Sequence, residues 1–215
     1  MILVNFKIYK ESFGDKAVEL AKICAKVAKK TGVKIIPVVS ALDAYRIKKE
    51  VGGDVYLQSV DAVIEGAKTG FISPVAAKEL KIDGSIINHS EHRLKTGTIK
   101  QILKDWPKDF KSVLCVSSLG QIDKWAKNTT ADIVAYEPKE LIGSKDKSVA
   151  TEKSETIKKI AEIYKDKIVL VGAGIKSVED VKVSLKMGAK GILISSSIIK
   201  SQNPEEELEK LASAF

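Results

Sequence analysis

A carboxylate, an imidazole and an ammonium group each stand at, or just past, the end of an apolar β-branched run in this chain. Glu137 closes Ile133-Val134-Ala135-Tyr136 and is followed by Pro138, whose ring fixes its own φ and biases Glu137 towards an extended backbone. His89 follows the run ending at Asn88, and Lys7 ends the first apolar run, two residues after Asn5. Gly172-Ala173-Gly174 and Ser195-Ser196-Ser197 follow two further runs. A carboxylate serves as a base, while an imidazole and an ammonium stabilise developing negative charge. Gly143, Gly172, Gly174, Ser195 and Ser196 would turn backbone N–H groups towards a phosphate. The set fits proton transfer on a small phosphorylated substrate. No spacing in the chain has the form of a metal cluster or a redox-cofactor site.

Taken singly, each residue has an ordinary use. Lys7 is one of 36 basic residues, and long lysines are normally solvated. His89 fits a loop or a cap, Asn5 a local backbone hydrogen bond, and the glycines tight turns. Their common position at strand ends gives them a joint meaning, provided the fold brings those ends together.

The elements that would do so alternate regularly. Strands are expected over 2–7, 34–39, 54–58, 84–88, 111–116, 133–136, 168–171 and 191–194, as short apolar runs bounded by turn residues. Helices are expected over 16–30, 42–51, 75–80, 99–105, 119–127, 152–164, 178–187 and 204–214. Asp15 is placed to cap the first helix, Gly32 to end it, and Pro74 to open the third. Apolar strands alternating with helices imply a parallel sheet covered by helices. Eight such units close most naturally into a single (β/α)8 barrel over residues 1–215, with a doubly wound open sheet as the competing architecture. A barrel gathers the C-terminal strand ends on one face, where the chemistry-bearing residues fall.

The composition, 44% hydrophobic and 30% charged, is that of a globular protein. No run of about 18 apolar residues is present, so a soluble, cytoplasmic protein with no membrane partner is expected. The net charge of +8 rests almost wholly on lysine, since Arg46 and Arg93 are the only arginines. Few arginines and no aromatic–basic interleaving argue against sequence-specific nucleic-acid binding. Cys24 and Cys115 lack metal spacing and read as core thiols.

The chain resembles triosephosphate isomerases. Asn5-Phe6-Lys7 is similar to that family's N-x-K segment, and Asn88-His89-Ser90-Glu91-His92-Arg93 to its H-S-E-R-R segment. Ala135-Tyr136-Glu137-Pro138, with Ile142-Gly143, is similar to its A-Y-E-P lid segment, in a form close to the compact archaeal branch. The resemblance implies a TIM barrel that interconverts glyceraldehyde 3-phosphate and dihydroxyacetone phosphate, without cofactor or metal. It implies Glu137 as base, His89 as electrophile and Lys7 as the cation, with Asn5 supporting Lys7 and Glu91 in the network behind it. These roles are those already known for the family. It further implies a lid of Pro138, Lys139, Glu140, Leu141, Ile142, Gly143 and Ser144, with Leu141-Ile142 as its apolar tip. The loop from Gly66 to Phe71 resembles the family's interdigitating third loop, so Thr69, Gly70 and Phe71 are expected at an interface in a homodimer or a pair of dimers. The chain departs from the family pattern at His92 for Arg, at Gly174 where many members have Ser, and at Ser195-Ser196 for Gly-Gly. Another phosphate-gripping barrel isomerase, or a basic binding module without catalysis, remains an alternative at this point.

Overall fold

The computed structural model describes residues 1–125, 129–142 and 147–215. Eight strands alternate with helices: β1 (Ile2–Asn5), β2 (Ile35–Val39), β3 (Tyr56–Leu57), β4 (Gly84–Ile87), β5 (Lys111–Val116), β6 (Ile133–Tyr136), β7 (Ile168–Val171) and β8 (Gly191–Ile194). They pair in parallel in chain order, and β8 pairs with β1 to close the barrel. Around it run α1 (Asp15–Thr31), α2 (Ala41–Glu50), α3 (Pro74–Glu79), α4 (Thr96–Lys104), α5 (Leu119–Trp125), α6 (Val149–Glu152), α7 (Ser154–Ile163), α8 (Val178–Lys186), α9 (Ser196–Ile199) and α10 (Pro204–Ala212). The expected (β/α)8 barrel is what the chain forms.

Side chains alternate across each strand, and the two resulting sets are separate apolar clusters. Leu3, Ile36, Val38, Ile86, Val113, Cys115, Ile133, Ala135, Leu170 and Leu193 come from the strands alone and fill the barrel's interior. Their strand neighbours, such as Ile2, Val4, Val134 and Tyr136, join the helix residues in an outer layer. Continuing the inward set by twos past each strand end gives Asn5 and Lys7 after Leu3, and Glu137 after Ile133 and Ala135. The same count gives Gly172 after Leu170 and Ser195 after Leu193. The inward face of the core therefore delivers most of the candidate site to the barrel mouth.

Several boundaries differ from expectation. Asp15 is the first residue of α1 rather than its cap, and Gly14 at the N-cap makes no side-chain capping bond. The Asp15 carboxylate instead meets Arg46 Nη1 at 2.7 Å. The first strand stops at Asn5, because the Asn5 side chain accepts the Lys7 N–H at 3.1 Å and Lys7 turns to a φ of 52°. The helix expected over 152–164 is two helices, since Ser148 caps α6 and Lys153 takes a non-helical ψ of 26°. α4 begins three residues earlier than expected, and β3 is only two residues long.

Candidate active site

β6 delivers Glu137, whose N–H still bonds to Val116 O at 2.8 Å as though the strand continued. The Glu137 side chain is buried, with 6% exposure, and its Oε2 has no hydrogen-bond partner among the described residues. That oxygen lies 3.5 Å from His89 Nε2.

His89 reaches the same point by a different device. It follows Asn88, whose φ of 62° lies in the left-handed region, one that Asn tolerates better than most residues. Asn88 is fixed there by three bonds: its Nδ2 donates to Cys115 O at 2.9 Å, its Oδ1 accepts the Leu94 N–H at 2.9 Å, and its carbonyl accepts from Arg93 Nη1 at 3.0 Å. His89 Nδ1 accepts the Glu91 N–H at 3.3 Å. A ring nitrogen that accepts carries no proton, so the imidazole is neutral and its N–H is on Nε2, facing Glu137.

Lys7 completes the group. Its strained backbone is held by Asn5 Oδ1 and by Gln58 Nε2, which donates to Lys7 O at 2.9 Å. Its Nζ meets Glu91 Oε1 at 2.6 Å. Glu91 thus serves two neighbours, fixing the tautomer of His89 through its backbone and the place of Lys7 through its carboxylate.

Asn5, Lys7, His89, Glu137, Gly174, Ser195 and Ser196 line one cavity of about 480 Å³, together with Ile142. Glu91 lies on an adjoining cavity that shares Lys7 and His89. Gly172 stands apart from the cavity lining and packs against Glu137 instead. Gly143 and Ser144 lie outside the described residues. Of the remaining lid positions, Lys139–Leu141 form a short 3-10 turn, and Glu140 meets Lys153 Nζ at 3.4 Å. Leu141 does not sit at an exposed tip: at 3% exposure it packs into the outer core, leaving Ile142 to face the cavity. Thr69, Gly70 and Phe71 are exposed on the loop after β3.

Sequence reasoning missed four contributors. Lys176 and Lys200 add two cations to the cavity lining, with Lys200 Nζ held 4.3 Å over the Tyr9 ring. Both lie within a few residues of the glycine and serine nests, which was the available signal. Gln58 had no signal beyond ending a strand. Cys115 is the core thiol that was expected, but it also lies against Glu137. Burial pushes its thiol well up, and the neighbouring carboxylate pushes it further, so it stays protonated.

Among the described residues, the N–H groups of Ala173, Gly174 and Ile175 donate to no carbonyl or side chain. Ser195, with φ −147°, and Ser196 in α9 both avoid positive φ, although they replace glycines of the family pattern. A carboxylate, a neutral imidazole donor and an ammonium therefore share one cavity with residues whose amides are unpaired among the described residues.

Residues 1–214 match the sequence model of the family described as "Triosephosphate isomerase". The chain belongs to that family. It is 40% identical over 213 residues to a protein named triosephosphate isomerase from Saccharolobus solfataricus, covering 97% of this chain and 93% of that one. It is 38% identical to one of the same name from Archaeoglobus fulgidus, covering 98% and 96%, and 37% identical to one from Methanothermus fervidus, with the same coverage. These relatives are archaeal, in keeping with the compact lid segment. The family match spans Lys7, His89 and Glu137.

Proposed function

We propose that this chain interconverts D-glyceraldehyde 3-phosphate and dihydroxyacetone phosphate, the reaction that stands between the two trioses in glycolysis and gluconeogenesis. Glu137 removes a proton from the carbon beside the carbonyl and returns it to the neighbouring carbon. The electron pair left behind moves onto the carbonyl oxygen, giving an enediolate. His89 Nε2–H gives its proton to the oxygen where that charge develops and takes the proton of the neighbouring hydroxyl, so carbonyl and hydroxyl change places, and Lys7 Nζ supplies the nearby cation. Asn5 and Glu91 position Lys7, and Glu91 keeps the imidazole neutral. The amides of Ala173, Gly174 and Ser196 hold the phosphate, with Gly143 and Ser144 completing the lid that begins at Pro138. A closed lid keeps water from the enediolate. The reaction as drawn uses protein groups only and needs no cofactor.

The observation that carries the reading is the approach of Glu137 Oε2 to His89 Nε2, 3.5 Å apart on a buried cavity wall. A base and a donor so placed reach adjacent atoms of one small substrate. A coupled assay with glyceraldehyde 3-phosphate tests it, together with Glu137→Ala. A folded Glu137→Ala variant that kept more than about a tenth of wild-type turnover would remove Glu137 from the role of base, since general-base catalysis contributes roughly a hundredfold or more.

The same reading makes the chain a homodimer in the cytoplasm. Ile8, Phe13, Leu42, Tyr45, Ile64 and Phe71 are large, exposed and apolar, and all lie on segments that follow β1, β2 and β3. Exposed apolar side chains of this size want a partner, and a second copy supplies one with two-fold symmetry. Among the described residues, the other large exposed apolar side chains are Leu80, Ile163, Ile168 and Phe215. A homodimer, or a pair of such dimers, is the state we favour. Among the described residues no helix is long and apolar enough to cross a membrane.

A further inference from the structure

The carboxylate of Asp180 makes more bonds than its helix requires. At the third position of α8 it forms a capping box with Ser177: the Ser177 hydroxyl accepts the Asp180 N–H at 3.1 Å, and Asp180 Oδ2 accepts the Ser177 N–H at 3.0 Å. That alone would cap the helix. Yet Oδ2 also accepts the Lys176 N–H at 3.1 Å, and Oδ1 accepts the Ser148 hydroxyl at 2.5 Å. Ser148 is buried and lies 32 residues away on the chain entering α6.

The two backbones joined in this way touch directly. Val149 N–H donates to Ala173 O at 3.1 Å. A β-carbon on Gly174 would lie 2.4 Å from Lys147 O and 2.9 Å from Ser148 Cα, so no side chain fits between them. Ala173 itself has a φ of 74°, a backbone that a β-carbon disfavours and that persists only where neighbours hold it. Ala173, Gly174 and Ile175, whose amides are unpaired among the described residues, line the cavity beside this clamp.

We propose that Asp180 is a positioning residue for the phosphate grip, its carboxylate tying the turn 172–177 to Ser148 so that the amides of Ala173 and Gly174 face the cavity. The proposal rests on reading that end of the cavity as the phosphate site. Bonds to an ionised carboxylate are stronger than neutral ones, and donors fixed in advance need no reorganisation when the anion arrives. The tie makes no bond to Glu137 or His89.

The test compares Asp180→Ala and Ser148→Ala with Ser177→Ala, which removes the Ser177 hydroxyl's bonds to the Asp180 N–H and Oδ2 but leaves the carboxylate bonded to the Ser148 hydroxyl and to the Lys176 and Ser177 N–H groups. Inorganic phosphate is titrated calorimetrically against each, thermal unfolding is recorded, and kcat/KM is measured on glyceraldehyde 3-phosphate and on phosphate-free D-glyceraldehyde. Asp180→Ala should weaken inorganic phosphate about tenfold and lower kcat/KM on the phosphate ester by at least that factor. Its kcat/KM on D-glyceraldehyde should stay within about twofold of wild type, because the reacting end is intact. Ser148→Ala should weaken phosphate about threefold, the loss of one hydrogen bond of several. Ser177→Ala should lower the unfolding temperature with phosphate affinity unchanged. An Asp180→Ala protein that is less stable but binds phosphate like wild type would overturn the proposal, leaving Asp180 as a helix cap. If Asp180→Ala does not fold, unchanged phosphate affinity in Ser148→Ala overturns it instead. A wild type that binds phosphate without isomerising the triose removes the isomerase reading alone, and the titrations still decide the role of Asp180. A wild type that does not bind phosphate removes both.

Discussion

A β-carbon placed on Gly172 would lie 2.8 Å from Glu137 Cγ and 2.9 Å from its Oε1, with Leu193 O only 3.1 Å away on the other side. The absence of a side chain at position 172 is therefore what leaves room for the base. Gly172→Ala should push the Glu137 carboxylate aside, and a displacement near 1 Å can cost about a hundredfold in rate. The stability loss should be modest, about 1–3 kcal/mol for an overpacked site. A turnover assay beside a thermal melt checks both halves. Wild-type turnover in a folded variant would mean that the carboxylate has another place to go.

The serines after β8 pose the opposite question, because side chains stand where the family pattern has none. Ser195 and Ser196 keep negative φ, so glycine is not needed for the backbone path. Replacing both by Gly should change the affinity of a phosphate-bearing inhibitor by less than about 1.5 kcal/mol, the scale of an ordinary hydrogen bond. The buried Ser195 hydroxyl has no partner among the described residues. A loss above roughly 3 kcal/mol would show that this hydroxyl, or that of Ser196, holds the anion in a charge-assisted contact.

At the opposite end of the barrel, Asp132 joins β5 to β6. Burial pushes its carboxyl up, but the Ser112 N–H and hydroxyl and the Lys111 ammonium outweigh that and hold it below the usual value. Such a carboxylate contributes stability that is fully present above its unfolded pKa of about 3.9 and is lost as pH falls through the lower folded value. Asp132→Asn should be less stable than wild type near pH 6, and the gap should close as the pH drops below about 4. Urea midpoints over that range give the answer. A gap independent of pH would mean that the bonds matter and the charge does not.

The loop after β3 has a closed base, where Asp61 N–H donates to Ile72 O at 2.9 Å and Ile72 N–H to Asp61 Oδ2 at 2.7 Å. It carries Phe71, 55% exposed, beyond that base. Phe71→Lys should give a monomer by light scattering, since a charge buried against a partner without a counter-ion is strongly disfavoured. Dimeric Phe71→Lys would place the interface elsewhere. A fully active monomer would show that the site needs no second copy.

Much of the candidate site was legible because it follows the strand period. Asn5, Lys7, Glu137, Gly172 and Ser195 continue the inward sets of their strands, and that count needs nothing but the sequence. His89 breaks the count: by alternation after Ile86 and Asn88 it belongs outside, and only the left-handed Asn88 turns it in. A family motif placed it correctly where periodicity alone would not. Leu141 was misjudged because an apolar pair after a strand fits either a lid tip or a core anchor, and only the fold separates them. The Asp180–Ser148 bond joins residues 32 positions apart through loops, where no period operates. Lys176 and Lys200 were indistinguishable by composition from the many lysines that face solvent.

The alternation along β1 also sets which changes in chain length the protein tolerates. Leu3 fills the barrel, while Asn5 at the end of the same strand and Lys7 just past it line the cavity. Deleting or inserting one residue between Leu3 and Lys7 reverses the facing of whatever lies beyond it. Either Leu3 leaves the interior or Asn5 and Lys7 leave the cavity. Folding and chemistry thus share one reading frame in this strand, and length variation is confined to the segments that follow Lys7.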